Sequence, residues 1–186
     1  MMLGRFANVR PALDEDDTFL FEVFCTLWER ETALMPNPQL VQHFLRIQYI
    51  TAERRFQVRY PQLERFVVLS DGEAAGRIYL HRTPAMLQIV ELTLLPAYRS
   101  RGLATALIRD VMAKAHQTGQ LVSIRAERRS ELAAAICERL GFRMVVVDDQ
   151  DRFFEWSPPS DRSKDSAGPV TEGPQDRGTL SSHSVP

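Results

Sequence analysis

The sequence is poor in the residues that build cross-links and metal centres. It holds two cysteines, Cys25 and Cys137, and four histidines, His43, His81, His116 and His183. Two thiols make no disulfide framework, and a structural zinc site needs more ligands at close spacing. No HExxH spacing joins the histidines, so no metal is expected. Long apolar runs are missing too. None approaches the ~18 residues of a membrane span, and the N-terminal stretch MMLGRFANVRPALDEDD lacks the apolar centre of a secretory signal. Nor does one sign of charge dominate. Lys+Arg 23 against Asp+Glu 24 leaves a formal net charge of -1, which gives no general attraction to nucleic acid or to an anionic membrane. The pairs Arg54-Arg55 and Arg128-Arg129 read as solvated faces rather than binding patches. What these absences leave is a cytoplasmic protein with reduced cysteines.

What is present suits one packed domain: 186 residues, 44% hydrophobic and 25% charged. A first strand is expected at 7–13, broken at Pro11. The acidic run Asp14, Glu15, Asp16, Asp17 favours a helix start, and apolar residues at helical spacing carry that helix to about Glu31. The segment Met35-Pro36-Asn37-Pro38 interrupts it, and a second helix follows to about Val58. Strands are expected at 66–69 and 76–80 around the turn dipeptide Asp71-Gly72, and a third at 86–95. Then come a helix at 102–117, a strand at 121–126, a short helix at 131–140 and strands at 142–147 and 152–156. Beyond Trp156 the composition shifts to Pro, Ser and Gly with almost no large apolar residue. This divides the chain into a folded domain, 1–157, and a disordered tail, 158–186.

The most informative stretch is LTLLPAYRSRGLATALI, 92–108. An apolar strand is stopped by Pro96, a short basic loop carries Arg99, Ser100 and Arg101, and Gly102 opens a helix through Leu103, Ala104 and Thr105. First-turn N–H groups have no partner within a helix, and the macrodipole adds positive potential there. Such a loop is a candidate cradle for a pyrophosphate.

In this context the chain resembles the GNAT superfamily of acyl-CoA-dependent N-acetyltransferases over roughly residues 9–156. Arg99, Gly102 and Ala104 match the family's Q/R-x-x-G-x-G/A signature, and ERLGF at 138–142 matches a second marker. The resemblance implies an α/β (α+β) fold: a mixed, mostly antiparallel sheet, splayed open between two central strands and flanked by helices. It implies acetyl-CoA as co-substrate, with the pantetheine arm along Leu92, Thr93 and Leu94 and the pyrophosphate on the amides of Arg99, Ser100, Arg101, Gly102, Leu103, Ala104 and Thr105. It also implies an amine acceptor, small molecule or protein, and transfer by direct attack in a ternary complex.

Two residues are candidates for the chemistry. Glu91 lies inside the apolar run LQIVELTLLP, and strict alternation puts it on one strand face with Ile89 and Thr93. A partly desolvated carboxylate there has a raised pKa and suits a general base. The competing reading is an ion pair with Arg77 or Arg125. Cys137 occupies the position where, by the resemblance, relatives carry a tyrosine as general acid. It is either a catalytic thiol or a small buried core residue. Tyr79 and Tyr98 are the other hydroxyls considered for that role. The missing tyrosine keeps open a non-catalytic acyl-CoA-binding module. A general nucleotide-binding domain lacks support from GxGxxG or GxxxxGK[ST]. Oligomeric state stays open, a homodimer included.

Overall fold

The computed structural model describes residues 8–128, 130–147, 149 and 151–159. Apart from its first two residues, the tail expected at 158–186 lies outside the described residues, as does Ala7. Seven strands form one sheet in the order β1-β2-β3-β4-β5-β7-β6. They are β1 Val9–Pro11, β2 Glu64–Ser70, β3 Glu73–Arg82, β4 Met86–Leu94, β5 Leu121–Glu127, β6 Arg143–Val147 and β7 Asp151–Trp156. All neighbours are antiparallel except β4 and β5, which run parallel with α4, Leu103–Thr118, as their crossover. The expected mixed, mostly antiparallel sheet with flanking helices is therefore present.

One face of the sheet packs against α4 and α5, Glu131–Arg139. Its core includes Ile78, Leu87, Ile89, Leu107, Val111, Ile124 and Phe154. The other face packs against α1, Asp17–Cys25, and α3, Pro38–Arg59, through Leu20, Phe24, Tyr49, Phe56, Val67 and Val90.

The first helix is shorter than its apolar spacing predicts. After Cys25 the N–H groups of Thr26, Leu27 and Trp28 each reach back three residues, to Val23, Phe24 and Cys25, and Thr26 Oγ1 also bonds Val23 O at 2.8 Å. That tightening ends α1 and turns Trp28 onto Phe24 and Phe44, with ring centroids at 6.3 and 5.3 Å. A short α2, Glu29–Thr32, follows. The start of α3 is set by Asn37, whose Oδ1 accepts from Gln39 N at 2.9 Å, with Pro38 in the first turn where its missing N–H is harmless. At the acidic start of α1, Asp16 is held by Arg10 on β1 through contacts of 2.6 and 2.7 Å. That pair ties the first strand to the helix layer.

Candidate active site

The strand opening implied by the resemblance can be located from the pairing. β4 and β5 are paired from Met86↔Leu121 to Ile89↔Ile124 and no further, although β4 continues to Leu94 and β5 to Glu127. On its other edge β4 stays paired with β3 as far as Gly76↔Leu94. Leu92, Thr93 and Leu94 therefore keep one ladder partner and have none on the side of β5. Gly76 is required by that β3 pairing, because a Cβ there would stand 2.3 Å from Thr93 O.

The same point carries a β-bulge. Leu80 pairs with Ile89 and Tyr79 with Glu91, so Val90 is the extra residue. Its consequence is a change of face. Ile89 packs in the α4/α5 core, whereas Val90 packs in the α1/α3 core, and Thr93 Oγ1 contacts Glu91 Oε1 at 3.2 Å. Glu91 thus shares a face with Thr93, as alternation predicts, but not with Ile89. The bulge reverses that part of the pattern.

Glu91 is held by an ion pair. Arg77 on β3 has a fully buried side chain; its Nε donates to Glu91 Oε1 at 2.7 Å, and Nη2 approaches the same oxygen at 2.5 Å, outside hydrogen-bond geometry. Arg77 Nη1 also donates to Leu20 O and Tyr79 Oη and lies 3.5 Å from Glu53 Oε1. Of the two ion pairs considered for Glu91, the Arg77 pair forms, while Arg125 binds Asp151 at 2.8 Å. Tyr79 is fully buried and donates to Glu53 Oε1, so its hydroxyl serves this interior network.

After β4 the chain makes one 3-10 turn, Pro96–Tyr98, and enters α4 through a loop with two left-handed residues, Ser100 at φ 60 and Gly102 at φ 80. A Cβ added at Gly102 would meet nothing within 4 Å. Its glycine is thus explained by backbone conformation, with open space above it, and not by contact within the protein. Ser100 pays for the same region without that freedom, and such strain clusters at ligand clamps. The first-turn N–H groups of Leu103, Ala104 and Thr105 have no intrahelical acceptor, and the first helical bond runs from Ala106 N to Gly102 O. The open space and unpaired first-turn amides fit an anionic group at this helix start.

Arg99 is differently employed. Its Nε donates to Leu94 O and its Nη2 to Thr26 Oγ1, both at 2.8 Å, and its own N–H donates to Pro96 O. The arginine of the signature therefore clasps the loop to the end of β4 and to the end of α1. Arg101 lies over the Tyr98 ring at 5.6 Å, and Arg139 reaches Thr105 Oγ1 at 3.5 Å.

On the α1/α3 face of the opening lies a cleft of about 1270 Å³. Its helical wall includes Phe24, Trp28, Ala52, Arg55, Phe56 and Arg59, and its sheet wall includes Glu91, Arg125, Glu127 and Asp151. Glu127 has no ion-pair partner among the described residues. It reaches the cleft, yet enough protein surrounds it that desolvation raises its pKa. Asp151 and Glu91 push the same way, and Arg125 opposes them.

The acetyltransferase (GNAT) family model matches residues 24–142. That span includes the strand opening, the loop and both flanking helices. The chain belongs to the GNAT family. No curated protein matches the sequence. Among solved structures, it is similar to the PaiA N-acetyltransferase of Thermoplasma acidophilum in complex with coenzyme A, at 18% identity and TM-score 0.59, covering 80% of this chain and 97% of that one. It is also similar to RimL, a ribosomal L7/L12 α-N-protein acetyltransferase in complex with coenzyme A, at 14% identity and TM-score 0.58, covering 84% and 97%. A probable GNAT acetyltransferase of Chromobacterium violaceum is 22% identical at TM-score 0.55, covering 82% and 84%.

Within this GNAT fold Cys137 faces the α4/α5 core, 1% exposed, and burial pushes its thiol up to about 11. It is packed as a small apolar side chain. The residue that sequence reasoning missed is Glu127. Its signal was available: Ser123, Arg125 and Glu127 alternate with the apolar Val122, Ile124 and Ala126, which marks one polar face on β5. Arg54 and Arg55, read from sequence as a solvated face, line the cleft. Among the described residues no group of acidic, histidine or cysteine side chains is arranged to hold a metal ion, and no helix is long and apolar enough to cross a membrane.

Proposed function

We propose that this GNAT protein transfers an acetyl group from acetyl-CoA to an amine of a small molecule or protein by direct attack in a ternary complex, in a reducing cytoplasm that keeps both cysteines as thiols. The observation that carries the reading is the end of β4–β5 pairing at Ile89↔Ile124, with the helix-start loop beyond one strand and the cleft on the opposite face. Acetyl-CoA supplies the activated acyl group. The first-turn amides of 103–105 and the loop of Ser100, Arg101 and Gly102 receive its pyrophosphate, and the free edge of 92–94 receives its arm. Arg99 acts by holding that loop in shape.

As the amine nitrogen bonds the acyl carbon and the thioester C–S bond breaks, the amine's proton passes to Glu127, directly or through water. The departing thiolate takes its proton from solvent. The Glu127 carboxyl forms no ion pair among the described residues, and desolvation raises its pKa above the ordinary carboxylate value, the direction that suits a general base. Glu91, clamped by Arg77, contributes a fixed negative charge near the incoming ammonium. If Glu91 were itself the base, as its sequence position first indicates, its replacement would carry the larger effect. Glu127→Gln is expected to lower kcat by roughly 10²–10⁴ and to remove the rise of kcat/KM with pH as the base ionises. Acetyl-CoA affinity should hold. Thiol release across an amine panel measures both. Cys137 in place of the family tyrosine, buried as it is, favours one second reading: a cofactor-binding module without turnover. Tight CoA binding with no thiol release from any amine would establish that reading and sink transfer.

A further inference from the structure

The acceptor cleft is electrically polarised along one direction, and this bears on what it accepts. Its helical wall is the stripe Gln48, Ala52, Arg55, Phe56 and Arg59, whose spacing puts all five on one face of α3. The only acid on α3 is Glu53, and it points away into the Arg77–Tyr79 network. Arg55 and Arg59 are exposed, and neither has a carboxylate partner among the described residues. Arg54 extends the same positive edge at the cleft margin.

Across the cleft the charges are mostly matched. Arg125 is bound to Asp151, Arg152 to Glu131, and Glu91 to Arg77. Glu127 at the end of β5 forms no ion pair among the described residues; Glu31 on α2 and Asp149 after β6 also border the cleft without one. Phe24, Trp28 and Phe56 give the helical wall an aromatic surface beside its arginines. Arginines without ion pairs and an aromatic surface on the helical wall, facing a carboxylate without one at the strand opening, describe the complement of a particular ligand.

Resting on the transfer reading above, we propose that the acceptor is a small amine that also carries an anionic group: its ammonium meets Glu127 at the strand opening and its carboxylate or phosphate meets Arg55 and Arg59, with an apolar spacer against the aromatic wall. Polyamines and simple alkylamines lack the group that the α3 wall would recognise. A second positive charge would be repelled by it.

The test compares matched amines on the full chain. ε-Aminocaproate is paired with hexylamine, phosphoethanolamine with ethanolamine, and spermidine serves as the polycation. The anionic member of a pair is expected to show a kcat/KM at least about tenfold higher, the size of one charge-assisted contact, carried by KM. Which pair shows the larger ratio distinguishes carboxylate from phosphate. In Arg55→Gln/Arg59→Gln the ratio should fall toward one; both side chains are exposed and outside any ion pair, so folding should be kept. Equal or better use of hexylamine or spermidine overturns the proposal, as does a preference that survives the double substitution. Calorimetry with the same amines, with and without CoA, separates this claim from the transfer reading. Binding of the anionic amines without turnover, lost in the double variant, leaves the proposal standing and removes transfer. Neither turnover nor preferential binding removes the proposal.

Discussion

Replacing Arg77 with methionine tests the interior of the site most directly. The guanidinium is fully buried, and the two carboxylates nearest it, Glu91 and Glu53, have side chains only 11% and 12% exposed. Methionine fills much of the volume but removes the 2.7 Å bond to Glu91, the donor to Leu20 O and the charge facing Glu53. Breaking a buried pair from one side costs about 3–5 kcal/mol, because the remaining charge is left uncompensated. For a domain of this size that corresponds to a fall in Tm of roughly 6–20 °C.

The loss should also depend on pH. Burial already raises the pKa of Glu53 beside Arg77, and removing the cation raises it further. A carboxylate whose folded pKa exceeds its unfolded value stabilises the fold below the unfolded value, and that contribution is lost as pH rises through the folded one. The variant's deficit should therefore be larger at pH 8 than at pH 5. Arg77→Met/Glu91→Met should cost less than the sum of the single substitutions by roughly 1–3 kcal/mol. Thermal and urea unfolding at both pH values measure this. A single-variant loss under about 1 kcal/mol, or strict additivity in the cycle, would refute the assignment of Arg77 as the charge that permits Glu91 to be buried.

Three further perturbations address other parts of the frame. Gly102→Val forces a branched residue to φ 80, at roughly 1–2 kcal/mol, and should weaken CoA binding at least about tenfold by calorimetry; undiminished affinity would show that the loop shape does not matter. Gly76→Ala places a Cβ against Thr93 O and should lower stability by about 1–3 kcal/mol, read as Tm, with β4 displaced where the cofactor arm would lie. Asp16, pulled from 3.8 to about 2 chiefly by its hydrogen bond to Arg10, should contribute stability that is complete above its unfolded pKa and fades as pH falls toward 2. Asp16→Asn should thus cost about 1–2 kcal/mol at pH 7, after discounting for the exposure of Arg10, and much less at pH 2.5; a cost that does not change with pH would contradict the ion pair.

The order of elements was legible in the sequence because each carries a local signal: Asn37-Pro38 before α3, Asp71-Gly72 between β2 and β3, and the strand–loop–helix of 92–108. Two features were not, for reasons of pairing. Nothing local says that β7 inserts between β5 and β6, since strand order is decided by non-local contacts. The bulge at Val90 is similarly silent. Val90 is as apolar as its neighbours, and only the register against Tyr79 and Leu80 reveals it as the extra residue. The signature alone also does not reveal what the arginine side chain does. Arg99 matches the motif, yet its side chain is spent on Leu94 O and Thr26 Oγ1, contacts from distant parts of the chain that no hexapeptide pattern encodes.

The bulge links the side of the helix-start loop and the side of the cleft through one residue. Without the bulge, in a regular ladder that paired Val90 with Tyr79, Glu91 would keep the alternation of Ile89 and point its carboxylate into the core beneath α4, which is apolar among the described residues. With it, Glu91 meets Arg77 and borders the cleft, while Leu92 and Leu94 return to the α4 side to support the strand that leads into the loop. The added residue falls immediately after the last β4–β5 pair, so the change of face and the parting of the strands occur together. The partition of roles follows from this. Apolar contacts on one face hold β4 and α4 together, and charged groups on the other are turned toward the cleft. A deletion of Val90 would remove the extra position itself: Glu91 would follow Ile89 directly, still opposite Tyr79 and on the face of Arg77, so the Arg77–Glu91 pair should persist and the loss should be that of Val90's packing in the α1/α3 core.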